Sequence, residues 1–90
     1  MNSVESIALI KQIMANSYME LEKDDDPQAN VMMYTTRENG DMSNDEPGAA
    51  DLQHAYQYRK LVTEKLPNVE SRVEGVDEWT YLTFIIKEDV

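Results

Sequence analysis

Apolar residues recur at steps of three and four through the first part of the chain. Val4, Ile7, Ile10, Ile13, Met14, Tyr18 and Leu21 share one helical face, which predicts an amphipathic helix over residues 3–22. Asn2 and Glu5 have the spacing of a capping box, and Pro27 blocks any continuation. A second helical pattern covers residues 47–66. Leu52, Ala55, Tyr56, Val62 and Leu66 mark its buried face, interrupted by Arg59. Pro47 suits its first turn, Asp45 or Glu46 its cap, and Pro67-Asn68 its end.

Three other stretches read as strands. Residues 30–37 are mostly Val, Met, Tyr and Thr. Asn39-Gly40 then marks a tight turn that either closes a hairpin onto residues 41–43 or opens a loop. The stretch 38–48, rich in Asn, Asp, Gly, Ser and Pro, is expected to be exposed and mobile. Residues 69–75 and 79–87 read as an antiparallel pair joined by a turn near 76–78. The last of these alternates strictly. Thr80, Leu82, Phe84 and Ile86 point one way, and Trp79, Tyr81, Thr83 and Ile85 the other. Both sets carry large apolar groups, so the pattern alone leaves open which is buried.

The order is helix, strand with an optional hairpin partner, helix, strand, strand. The economical packing is an α+β domain of two layers: both helices on one face of a small, mainly antiparallel sheet of three or four strands. Ninety residues make one such domain, spanning 1–90. Met14 and one of Met32 and Met33 are expected in its core. The far face of the sheet is left partly bare.

Charge changes the picture most. The chain carries net charge −10, and the segment Glu20–Asp51 holds ten of its eighteen acids against only Lys23 and Arg37. On a helix ending at residue 22, Glu20, Glu22, Asp24, Asp25 and Asp26 would stand at the negative end of the dipole. Each carboxylate there costs about 0.3–1 kcal/mol. A localised negative field set against local folding points to a cationic partner. Glu20, Glu22, Asp24, Asp25, Asp26, Glu38, Asp41, Asp45 and Glu46 are the candidate charged contacts, and Trp79 and Tyr81 the candidate anchors. The same charge disfavours nucleic acid and anionic lipid as direct partners.

Catalytic chemistry finds little support. His54 is the only histidine, and Asp51 and Tyr58 share its helical face. Such a trio reads either as an acid–base cluster or as a solvated polar strip, and the second is expected, since one helix supplies no nucleophile or oxyanion donor. Asp41, Ser43 and Asp45 have the alternate spacing of a calcium loop, but Glu46 stands where its glycine belongs and Leu52 where its last glutamate belongs. Neither a metal nor a cofactor is expected. With no cysteine, no basic-then-apolar leader and no apolar run of membrane length, a reducing cytoplasm is the expected location.

In size and charge the chain resembles phage-encoded nucleic-acid mimics and other small anti-defence proteins, without a motif that assigns it to one. The expected function is a small acidic inhibitor, phage or mobile-element encoded, that binds a basic nucleic-acid-binding protein of the host and occludes it. The alternative is a homo-oligomer that associates through the bare sheet face or the edge of strand 79–87, with the acids serving solubility.

Overall fold

The computed structural model describes residues 3–23 and 30–87. Six elements follow in order: α1 (Ser3–Met14), β1 (Glu20–Lys23), β2 (Val31–Thr36), α2 (Ala49–Lys65), β3 (Val69–Val76) and β4 (Trp79–Ile86). The four strands form one antiparallel sheet in the order β1-β2-β4-β3. The two-layer α+β arrangement is as expected, with the additional strand lying before β2 instead of after it. β4 lies between β2 and β3, so it has no free edge, and of the two routes of the oligomeric alternative the one through the edge of strand 79–87 is closed. β1 and β3 are the edges.

The first helix is shorter than its apolar spacing predicts. Ser17 stops it: its hydroxyl donates to the Met14 carbonyl at 2.7 Å and accepts from the Met19 amide at 3.2 Å. Beyond this point the apparent helical face is a strand with period two. Met19 is buried and Leu21 packs on the core, while Glu20 and Glu22 point outward. Glu20 and Glu22 are therefore strand residues, and contrary to the expectation they do not stand at the negative end of a helix dipole. Asp24, Asp25 and Asp26 lie outside the described residues. Val4, placed on the buried face by periodicity, is 74% exposed.

α2 begins after Gly48, which serves as its cap residue without a side-chain cap bond. Pro47, Asp45 and Glu46 lie ahead of it. Its inward positions are Asp51, Ala55, Tyr58, Val62, with Leu66 just past its end. Tyr56 is 52% exposed instead of buried, and Arg59 lies beside the inner face, donating from Nε to the Ser71 hydroxyl at 2.8 Å. Ile10 and Met14 of α1 meet Ala55, Val62 and Leu66 over Met32, Tyr34, Leu82, Phe84 and Ile86 of the sheet. Phe84 and Tyr34 touch edge to face, with ring centroids 6.1 Å apart. Met33 turns to the opposite face of the sheet, and Met42 is exposed. Among the described residues, Asn30, Asp45 and Asp77 have positive φ, and they are of the types that tolerate that region.

No helix among the described residues is long and apolar enough to cross a membrane. Phe84→Ala is expected to lower the free energy of unfolding by about 3–5 kcal/mol, against a total of about 5–15 kcal/mol for a domain of this size. Val4→Ala is expected to change it by less than about 0.5 kcal/mol. Urea titration of the two variants checks both the core and the corrected face of α1.

Candidate protein-binding face

Packing against the helices settles the two faces of the sheet. Thr80, Leu82, Phe84 and Ile86 lie under the helices, and Trp79, Tyr81, Thr83 and Ile85 line the other side. Register completes that open face. Glu20 pairs with Thr35, Thr35 with Tyr81, and Tyr81 with Glu74, which makes one row across all four strands. With about 4.8 Å between strands, the two glutamates stand about 14 Å apart over an apolar centre.

Two depressions mark this face. One, of about 320 Å³, is lined by Tyr18, Glu20, Thr35, Thr36, Arg37, Glu38 and Trp79. The other, of about 310 Å³, is lined by Glu22, Met33, Glu74, Val76, Tyr81 and Thr83. Each has an aromatic side chain and two glutamates. Trp79 and Tyr81 are two positions apart on one strand, so the depressions are about 7 Å apart. In the first, the Arg37 guanidinium lies 4.9 Å from the centroid of the Trp79 ring and 3.8 Å from Glu78. The protein's own cation thus shows what the ring and its surrounding carboxylates accept.

Sequence-predicted residues converge here in part. Glu20, Glu22, Glu38, Trp79 and Tyr81 all line these depressions. Asp41, Asp45 and Glu46 belong to the loop between β2 and α2, at the Trp79 end of the sheet. Gly40 holds that loop against the β3–β4 turn, where a Cβ would stand 2.1 Å from the Glu78 carbonyl oxygen. The loop is exposed and built around Asp41. The Asp41 backbone exchanges hydrogen bonds with that of Glu46 at 2.8 and 3.2 Å. The Asp41 carboxylate accepts from the Ser43 hydroxyl and amide and from Asn44 Nδ2. These bonds, that of the Ser43 side chain first, hold the Asp41 carboxyl below its usual range. Its oxygens serve the loop. No hairpin strand forms at 41–43, only this isolated bridge. Among the described residues no group of three or more His, Cys, Asp or Glu is placed to hold a metal.

The described ion pairs are Arg37–Glu78, Lys60–Glu64, Arg72–Glu74 and Lys87–Glu70. Every acid in them lies outside the segment 20–51. Among the described residues, Glu20, Glu22, Glu38, Asp45 and Glu46 have no ion-pair partner, and their charge faces solvent.

The Asp51–His54–Tyr58 strip is not solvated. Asp51 is fully buried. Its carboxylate accepts from Tyr18 Oη at 2.7 Å, from the Asn39 amide at 3.0 Å and from Asn39 Nδ2 at 3.0 Å. His54 stacks on Tyr18 with ring centroids 3.8 Å apart, and its Nε2 accepts from the Tyr18 amide at 3.2 Å. The ring is therefore neutral, with its proton on Nδ1. Tyr58 reaches the Asn16 carbonyl at 2.9 Å. Tyr18 and Asn39 come from distant parts of the chain, so helical spacing gave no sign of them. They are also sequence neighbours of Glu20 and Glu38, and the network thereby sets both glutamates beside Trp79.

Comparison with protein-family models, with curated proteins and with solved structures gives no match to this chain.

Asp51→Ala would strand three donors and is expected to cost about 2–4 kcal/mol of stability in urea titration. pH supplies an independent check. Burial, then the hydrogen bond and charge of Asp51, push the Tyr18 hydroxyl up to about 12. A raised value means the contribution is whole below the ordinary value of 10.0 and is lost as pH rises from there through about 12. Burial lowers His54 below its ordinary 6.5, opposed by the charges of Asp51 and Glu38. Folding then favours the neutral ring, and stability falls as pH drops below 6.5. Thermal melts across pH should show the alkaline slope reduced in Tyr18→Phe and the acid slope reduced in His54→Gln.

Proposed function

We propose that this chain is a small acidic protein-binding inhibitor. It lays the open face of its sheet, with the adjoining loop, on a basic groove of a nucleic-acid-binding protein and so occludes it. The observation that carries this reading is the meeting of Glu20 and Glu38, neither held in an ion pair, at the rim of one depression with Trp79. Lys or Arg of the partner enters between the two carboxylates, beside the Trp79 ring on which Arg37 already lies. Tyr81, Met33 and Val76 give the neighbouring depression its apolar contact.

Magnitude decides how far the charge imitates a nucleic acid. Duplex DNA presents one charge per about 1.7 Å of axis, or about 15 along the roughly 26 Å of an eight-residue strand. Glu20, Glu22, Glu70 and Glu74 are far fewer over that length, and two of them are already paired. The face therefore resembles a duplex in sign and extent more than in density, and its aromatics supply part of the affinity. Action in the cytoplasm of a phage host, without catalysis or cofactor, fits this reading.

The test is capture of host proteins on the immobilised chain with salt-gradient elution, followed by titration of the captured protein. Glu20→Gln with Glu38→Gln, both exposed, should leave the fold intact and weaken binding about tenfold at low salt, with a smaller salt dependence. The captured protein should lose its grip on nucleic acid as the chain is added. Equal binding by wild type and variant, unaffected by salt, would sink the proposal.

A further inference from the structure

Strand β3 is an edge eight residues long with a neighbour on one side only. Long unprotected edges invite a further strand, and proteins commonly blunt them with charged side chains, lysine above all, whose like charges repel a second copy. The outward-facing row here is different: Glu70, Arg72 and Glu74 alternate in sign.

The hydrogen-bond phase of this edge follows from its two ends. The Lys87 amide donates to the Asn68 carbonyl, so position 68 bonds towards β4. The Val69 amide turns back to the Leu66 carbonyl instead. By alternation, Glu70, Arg72, Glu74 and Val76 bond β4, while Ser71, Val73 and Gly75 aim their N–H and C=O groups away from the sheet.

We infer that β3 pairs with β3 of a second copy, antiparallel about a two-fold axis at Val73, to make a continuous eight-stranded sheet. Only registers that keep both helix layers on one side are allowed, and these pair residues of like parity. A register centred on Arg72 sets Arg72 against itself and Glu70 against Glu74. The register centred on Val73 sets Arg72 against Glu74 of the second copy, twice. It also places Val73 opposite itself and Ser71 opposite Gly75, so that the outward-facing groups meet one another. The Arg–Glu pairs then occupy the non-bonded positions, where cross-strand side chains stand closest.

Two further observations fit this occupant. A cleft of about 620 Å³ follows the first half of the edge, between Arg59 and Thr63 of α2 and residues 69–72. In this register the backbone of residues 74–77 of the second copy runs along it. Tyr56, one turn before Lys60 and two before Thr63 on the outer side of α2, is exposed and beside this boundary. The pairing stands independently of the proposed inhibition, and it would set two open faces side by side.

Each copy carries −10, so association of two copies must be helped by salt, whereas capture of a basic partner is weakened by it. Light scattering on the full chain should give a mass near twice 10.4 kDa, rising towards that value with salt. Arg72→Glu should raise the dimer dissociation constant about tenfold or more with an unchanged circular dichroism spectrum. Adding Glu74→Arg to it should restore the dimer. A monomer at every salt and up to millimolar concentration overturns the inference. So does a dimer indifferent to Arg72→Glu, or one that the charge swap fails to restore. Partner capture by Arg72→Glu reads the inhibitor proposal separately, since Glu20, Glu38 and Trp79 remain.

Discussion

The Asp51 carboxylate is the point on which the candidate face depends. It is fully buried in the first turn of α2, where the helix dipole favours an anion. Its donors come from two other places: Tyr18 in the link between α1 and β1, and Asn39 at the start of the loop after β2. One buried carboxyl group thus ties three segments together. Without it Tyr18 keeps its contacts with the Ala50 carbonyl and His54, while Asn39 loses both of its described side-chain contacts with α2. The position of Glu20 follows from Tyr18, and that of Glu38 from Asn39. The depression beside Trp79 is a consequence of this tie.

Energetics explain why a charge serves here. A buried carboxylate without partners is costly, and one that accepts several well-directed donors recovers that cost. Asn39 contributes both backbone and side chain, which fixes its orientation as well as its distance. Gly48 allows the approach, since a Cβ there would stand 2.1 Å from the Asn39 carbonyl oxygen. His54 adds a second constraint on Tyr18 by stacking on its ring and accepting its amide. The result is a rigid support beneath two exposed glutamates.

What was legible in the sequence follows from periodicity. The two faces of β4 were plain in the alternation of Trp79 to Ile86, and the turn at Asp77-Glu78 was located correctly. Alternation does not say which face the helices cover; only packing with Ile10, Met14 and Val62 decides that. The end of α1 was misread because Tyr18 and Leu21 continue a three- and four-residue spacing by coincidence. A strand of period two also satisfies those positions, and Ser17 was the signal that the helix had stopped. Tyr56 was placed in the core for a related reason. It is adjacent to Ala55, and one helical position is a rotation of about 100°, enough to carry it to the surface. Most of the carboxylates proposed for binding were legible as charge, but their convergence was not, since it depends on contacts between residues more than thirty positions apart in the case of Tyr18 and Asp51.

Placement of charge across the molecule carries one more consequence. Four described bases, Arg37, Lys60, Arg72 and Lys87, pair with acids on α2, β3 and the β3–β4 turn, which leaves β3 nearly balanced and the segment from β1 to the start of α2 strongly negative. A balanced edge and an unbalanced face respond to ions in opposite ways. Screening removes the long-range repulsion between two copies, yet it leaves short-range strand hydrogen bonds intact. It also removes the attraction between the open face and a cation-rich groove. One variable, ionic strength, therefore separates the two surfaces without altering a residue. Their separate locations mean that a copy bound at β3 need not cover Trp79.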